Sequence, residues 1–407
     1  MQNIKRILLV DDNPEDLRVL AESLGNLDNG WKVDTTGGGS LALQAISARP
    51  FDVVVADFNM PGMTGEELLK AVMVEYPQTV RILLSGSFDL KATPRLMSVA
   101  HQYLCKPCDP LTLHETIASS LVLRDLLTSK DLQCLVSQIQ ALPSLPVLWM
   151  ELIQELQKRE PSIARIASII ARDLGLSTKL LQLVNSPFFA LARPVIDLEE
   201  AVMHLGIETV KTLVLSLQTF SAFERLDTDS RAVKVLWSHS WSVGQLAQRI
   251  AQYEGLDHNA ISRGFTAGLL HDVGKLVLQT GAPKQLAAVT ALHREREIPL
   301  WRAEQEMFGC THAEVGAYLL GLWGLPSPVV ETVAMHHRPP RSSSRRMSAV
   351  LAVHVADYLT HKASTHPDAS PIELDEALLA ELNLSDRIDQ WNGLAADLDG
   401  SPASAAA

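Results

Sequence analysis

At 407 residues the chain is too long for one ordinary hydrophobic core, so two or three domains are expected. Hydrophobic residues at 47% and charged residues at 20% describe a folded chain and exclude a disordered one. A formal net charge of −12 leaves no electrostatic footprint for nucleic acid or an anionic membrane; "RPPRSSSRR" (338–346) is the one local basic stretch.

The opening "MQNIKRILLVDD" has charge directly before a strand-length apolar run, which is not the order of a signal peptide. No apolar run approaches the roughly 20 residues that span a bilayer, so no membrane partner is expected. Cys105, Cys108, Cys134 and Cys310 are too few for a disulfide framework, and the cytoplasm is the expected compartment.

In chain order, "RILLVDD", "WKVDTTG", "FDVVVAD", "RILLSG" and "HQYLCKP" read as strands, most of them apolar and β-branched. Between them "EDLRVLAESLGNL", "SLALQAISAR", "GEELLKAVMVE" and "LKATPRLMSVA" have helical spacing. Alternation of this kind predicts an α/β doubly wound domain over residues 1–122, a five-stranded parallel sheet covered on both faces. Residues 111–141 are continuously helix-compatible and read as the last helix of that domain running on into a helical connector (123–141). "LPSLP" (142–146) breaks the pattern with two prolines. From Val147 to about Thr365 all periodicity is helical, which predicts an all-α domain over 142–365. The remaining extension (366–407) is acidic and ends in "GSPASAAA", for which disorder is expected.

Carboxylates recur at the strand ends: Asp11 and Asp12 after "ILLV", Asp57 after "DVVVA". Ligands of open parallel sheets bind outside the carboxyl ends of the strands. Anions converging there repel unless a hard cation such as Mg²⁺ joins them. Ser85 and Lys106 close the fourth and fifth strands and add a hydroxyl and an ammonium, a set suited to phosphoryl transfer onto a carboxylate. "LLVDD", "VVVADFNMPGMTG", "ILLSG" and "YLCKP" resemble, in order and spacing, the signature of the two-component receiver family, over about residues 4–122. The resemblance implies Asp57 as phosphoacceptor, with Mg²⁺ held by Asp11, Asp12, Asp57 and the Asn59 carbonyl. It further implies Ser85 and Lys106 on the phosphoryl oxygens, Tyr103 as the aromatic switch, a cis Lys106–Pro107 bond and a sensor histidine kinase as partner. "CKPC" reads as two small residues around a turn, since no second cysteine pair completes a zinc site.

"LPSLPVL", "IASIIARDLGLSTKLLQLVNSPFF" and "IDLEEAVMHLGIETVKTLVLSLQTF" resemble the HDOD family, an HD-related output domain, over roughly 142–340. Leu174 departs from the proline usual after the aspartate matching Asp173. Asn185 reads as a structural cap or bridge, and His101, His114, His204, His258, His293, His361 and His366 as satisfied core or surface residues. Another order is more telling: His239, His271-Asp272, His312, His336-His337, Asp357. It resembles the metal-binding signature of HD phosphohydrolases and suits Fe, Mn, Co or Zn. By that resemblance Asp272 and Lys275 are the candidate catalytic residues, Asp272 to bridge metals or orient water and Lys275 to stabilise developing charge. "HHRPPRSSSRR" replaces the acidic, Gly-Tyr-Pro-bearing segment of relatives that hydrolyse cyclic-di-GMP, which speaks against that substrate. The tryptophans read as helix-packing anchors.

The expected function is a bacterial response regulator, phosphorylated on Asp57, whose HDOD domain signals through altered domain arrangement and binding of a protein partner. A homodimer is compatible with this. The alternative is a receiver-gated, metal-dependent phosphohydrolase or phosphodiesterase.

Overall fold

The computed structural model describes residues 4–28, 30–86, 99–125, 127, 129–139, 146–158, 160–186, 189, 191, 193–207, 209–211, 214, 230–340, 347–363 and 372–396. All five expected strands form: β1 (Lys5–Val10), β2 (Trp31–Thr36), β3 (Val53–Asp57), β4 (Val80–Ser85) and β5 (Gln102–Cys105). They pair in parallel in the order β2-β1-β3-β4-β5, the doubly wound arrangement. The central strands are buried on both faces, so their side chains are a continuous apolar run rather than an alternation. Helices α1 (Pro14–Leu27), α2 (Gly39–Ala48) and α3 (Gly65–Glu75) cover the sheet. Three of the expected helices are thus present, while "LKATPRLMSVA" falls mostly outside the described residues.

Residues 111–141 are not one helix. α4 (Pro110–Asp125) stops, and α5 (Lys130–Gln138) starts afresh behind Ser129, whose hydroxyl accepts from Leu132 N–H. A serine that caps offers the backbone an alternative to continuing the helix, and helical propensity alone does not register it. Gln133 Nε2 then bonds the carbonyls of Arg124 (3.2 Å) and Leu127 (2.6 Å), satisfying the broken end.

The rest is helical: α6 (Pro146–Leu156), α7 (Ile163–Ala171), α8 (Leu174–Val184), α9 (Leu198–Leu205), α10 (Ser230–Tyr253), α11 (His258–Leu270), α12 (Val273–Gly281), α13 (Pro283–Arg296), α14 (Leu300–Phe308), α15 (His312–Leu322), α16 (Ser327–Met335), α17 (Ala349–Ala363), α18 (Glu376–Glu381) and α19 (Ile388–Ala396). Every residue of α8 is buried, so it runs through the core. Asp173 caps it despite Leu174, accepting from Leu176 N–H at 2.9 Å. Asn185 bridges as expected: its Nδ2 donates to the Leu181 and Val195 carbonyls and its Oδ1 accepts from Val195 N–H. Part of the C-terminal extension belongs to this core. Trp391 is fully buried and donates to Glu254 Oε1 at 2.9 Å, tying α19 to α10. "GSPASAAA" and most of the basic stretch (341–346) lie outside the described residues.

Candidate functional site

Two clusters of ionisable groups occupy the two halves. In the sheet, Val10 pairs with Ala56, so Asp11 and Asp57 emerge side by side. Both are buried while Asp12 is exposed, and one oxygen of each lies within 4.8 Å of the others. Lys106 Nζ sits 2.8 Å from Asp57 Oδ1 and also bonds Asp11. The Asn59 N–H donates to Asp57 Oδ2 at 3.0 Å, so Asn59 reaches the pocket through its backbone. The Lys106–Pro107 bond is cis. α3 begins almost on top of the site: a Cβ on Gly65 would lie 2.2 Å from the Asp57 carbonyl, so only glycine fits.

Burial raises the Asp57 carboxyl, against the opposing pull of Lys106. Burial also pulls Lys106 down, but its bonds to Asp11 and Asp57 outweigh this and take it up to about 12. Three carboxylates against one ammonium leave an oxygen-only, net anionic pocket, which fits Mg²⁺. Ser85 closes β4 beside it, its carbonyl accepting from Lys106 N–H at 2.9 Å. Tyr103 stands on β5 with its phenol held well above the ordinary range by burial. Cys105 and Cys108 are free thiols, and neither joins a metal-ligand group among the described residues.

The second cluster lies inside the helical domain. His239 comes from α10, His271 and Asp272 from the α11–α12 junction, His312 from the start of α15, His336 and His337 from the end of α16, Asp357 from α17. All seven converge. Ligand atoms of His239, His271 and Asp357 lie within 4.8 Å of one another, as do those of His271, Asp272 and His336, and those of His312, His336 and His337. Asp272 links the groups: Oδ2 is 3.4 Å from His271 Nε2 and 3.7 Å from His239 Nε2, while Oδ1 is 3.2 Å from His312 Nε2.

Three features fit this set to transition-metal ions. First, the imidazoles are oriented from behind. His271 Nδ1 donates to the Gly268 carbonyl and His336 Nδ1 to the Val333 carbonyl, each at 2.7 Å, and His312 Nδ1 to Glu304 at 2.6 Å. Such bonds turn Nε2 inward, as in carboxylate–histidine–metal arrangements. Second, His336 Nε2 is buried without a hydrogen-bond partner among the described residues, and His271 Nε2 and Asp272 Oδ1 have only the ion-pair neighbours of the cluster itself, at 3.2–3.5 Å. Third, the buried carboxylates demand positive charge. Burial pulls His271 down, but Asp272 and Asp357 carry it up to about 10, and Glu304 raises His312 against burial in the same way. These protons stand where a cation would displace them. The outlying imidazoles stay neutral: burial takes His239 down to about 4 and His336 and His337 well below the usual range. Lys275 is not free at the rim, since its Nζ bonds Asp272 Oδ2 at 2.6 Å.

Glu304, His361 and His354 escaped sequence reasoning. Glu304 is fully buried and also accepts from His312 N–H; nothing in its local pattern marks it. His361 is no isolated surface residue: its Nδ1 lies 3.1 Å from Asp357 Oδ1 and its ring 4.3 Å from that of His239. Its place four residues after Asp357 on one helix was a usable signal. His354 donates through Nδ1 to the His336 carbonyl at 2.7 Å, bracing α16. His101 and His293 are satisfied structural residues, as expected; His114 stacks on Trp31 with its Nε2 buried and without a hydrogen-bond partner among the described residues, and His366 lies outside them.

One helix touches both halves. His312 stands at the first turn of α15, and Gly274 packs there so tightly that a Cβ would be 1.9 Å from the His312 carbonyl. Toward the other end, Tyr318 Oη meets Ser137 Oγ of α5 at 3.4 Å, and Leu123 of α4 fills the space over Gly321. Gln102 of β5, next to Tyr103, donates to the Gly321 carbonyl at 3.3 Å. The buried Arg81 guanidinium, pulled down to about 10 by burial, bonds the Ser137 carbonyl at 2.8 Å, which secures α5 to the sheet.

A family profile described as the response regulator receiver domain matches residues 7–118, and one described as the HDOD domain matches residues 142–339. An uncharacterized protein of Treponema pallidum is 31% identical over 215 residues, 53% of this chain and 41% of that protein. The response regulator protein PilR of Pseudomonas aeruginosa is 30% identical over 125 residues, 30% of this chain and 27% of that protein. The chain thus spans less than half the length of these curated relatives. Among solved structures, the MmoQ response regulator of Methylococcus capsulatus is 22% identical with a TM-score of 0.46, covering 62% of this chain and 98% of that one.

Proposed function

This chain is a response regulator made of a receiver domain and an HDOD output domain, and from that premise we propose that phosphorylation of Asp57 controls the helical domain through α15. A sensor histidine kinase supplies the phosphoryl group: an Asp57 oxygen bonds to phosphorus as the bond to the donor imidazole nitrogen breaks, and the departing imidazole takes up a proton. Mg²⁺, when bound by Asp11, Asp12 and Asp57, neutralises charge on the phosphoryl oxygens. Lys106 leaves its pairing with Asp57 for those oxygens, and Ser85 follows, drawing Tyr103 with it.

The observation that carries this reading is α15 itself, with a histidine of the buried cluster at one end and contacts to β5 and α5 at the other. A shift of β5 at Tyr103 displaces the adjacent Gln102, and with it Gly321. The output is a changed arrangement of the helical domain, read by a protein partner. Hydrogen exchange tests it: a phosphodonor should alter protection over 130–138 and 312–322 in the wild type and leave Asp57→Ala unmoved. Identical exchange with and without phosphodonor would sink the proposal.

A second reading is favoured by the inward-facing Nε2 atoms: a receiver-gated, metal-dependent phosphohydrolase. Fe, Mn, Co or Zn held by His239, His271, Asp272, His312, His336, His337 and Asp357 would polarise a phosphoester and activate water. Elemental analysis of protein purified without chelator tests its premise. About one or two transition-metal ions per chain, lost in His271→Ala, are expected from the ligand groups; a metal-free, folded wild type would reduce the cluster to architecture.

A further inference from the structure

The basic stretch after His337 has no role in either reading, and the structure gives its first residue a definite place. Trp301 lies one turn before Glu304 on α14, so the helix that braces His312 also supports His337, whose ring is 5.9 Å from the indole and inclined at only 20°. Arg338 Cζ stands 4.4 Å from the centroid of the same indole, closer than Arg302 Cζ at 5.2 Å. The two guanidiniums differ in commitment. Arg302 is paired with Glu373 at 2.6 Å, whereas Arg338 is exposed and makes no ion pair among the described residues. Lys275, also beside the cluster, is engaged by Asp272.

A guanidinium braced by an aromatic face keeps its N–H edge available, and that edge matches two oxygens of a phosphate. Stacking also restricts the side chain beforehand, so less entropy is lost when an anion is gripped. Arg338 follows His337 directly, which fixes its distance from the cluster through one peptide unit and one shared indole.

We propose that Arg338, held on Trp301, anchors a phosphate group of a small phosphorylated ligand whose other phosphate occupies the histidine cluster. This rests on the cluster's being a metal centre, and it requires binding, not turnover. The ligand class is a phosphoanhydride or a phosphodiester with a second anionic group outside the cluster.

The probe is inorganic pyrophosphate, titrated into full-length protein by calorimetry, with indole fluorescence followed in parallel and transition-metal content measured on every sample. Arg338→Ala should weaken pyrophosphate binding by about 10- to 100-fold with metal content unchanged, the loss expected for a bidentate charge-assisted contact. Arg338→Lys should recover only part of it, and Trp301→Phe should keep most of it, because each preserves one half of the device. The anchor is overturned if Arg338→Ala binds pyrophosphate within about twofold of the wild type, or if the metal-loaded wild type does not bind it. A wild type without transition metal overturns the metal-centre reading on which the anchor rests, a failure distinct from metal-loaded protein that binds pyrophosphate independently of Arg338.

Discussion

The two ionisable clusters solve opposite electrostatic problems. At the sheet edge Lys106 pairs with Asp11, Asp57 and, at 3.6 Å, Asp16; the first two take it up to about 12, and Asp12 stays exposed, so charge can arrive and leave through solvent. Inside the helices the cluster is drawn from five separate segments, Asp272 and Asp357 are buried, and the imidazoles are locked from behind by Nδ1 bonds. The first design suits a reversible phosphoryl group with a loosely held, hydrated cation. The second suits an ion bound once and kept, because desolvated donors without another partner gain most from it. A third group sharpens the contrast. Lys179, in the fully buried α8, has among the described residues Gln182 at 3.0 Å and the Trp323 ring at 4.6 Å, and burial pulls it down to about 7.

The largest expected effect lies at the sheet edge. Asp57→Ala should abolish phosphodonor-dependent phosphorylation outright, seen as loss of the shifted band on a phosphate-affinity gel. Any residual band would move the acceptor to another residue. The buried cluster should respond instead to packing: Gly274→Ala forces a methyl against the His312 carbonyl, and overpacking of this kind costs about 1–3 kcal/mol or more. Urea unfolding should show that loss together with reduced transition-metal content. A variant as stable and as metal-rich as the wild type would mean that the α12–α15 crossing does not set the site.

Lys179 gives a test with a sign. Its folded pKa lies near 7 and its unfolded pKa near 10.5, so between these values the unfolded chain holds the extra proton. Stability should therefore rise by a few kcal/mol as pH goes from about 7 to 10, relative to Lys179→Met, in which this dependence is absent. Parallel pH–stability curves for the two proteins would show that Lys179 is solvated in the native state. The smallest effect is at the junction: Tyr318→Phe removes one long hydrogen bond to Ser137 and should cost less than about 1 kcal/mol while weakening the response of 312–322 to phosphodonor. An undiminished exchange response in that variant would route the coupling through Gln102 and Leu123 at Gly321.

The receiver half was legible because its chemistry is local to strand ends. Once "LLVDD" and "VVVAD" are read as adjacent parallel strands, Asp11 and Asp57 must share an edge, and the observed register puts them there. The order of histidines and aspartates in the second half was equally visible, and its members do converge. Less legible were the break at Ser129, where one capping hydroxyl overrides a helical stretch, and Glu304, whose partner His312 is eight residues away on another helix.

By itself, the sequence determined the two fold classes, the acidic pocket and the donor types of the histidine cluster, since residue type dictates what a group can bond and periodicity dictates which element carries it. Only the tertiary structure decided which imidazole nitrogens face inward, that His361 and Glu304 belong to the cluster, and that α15 joins both halves. The reason is physical. A contact at 3 Å between His239 and Asp357, 118 residues apart, depends on how helices cross, and crossing is settled by packing at glycines such as Gly274 rather than by any local preference.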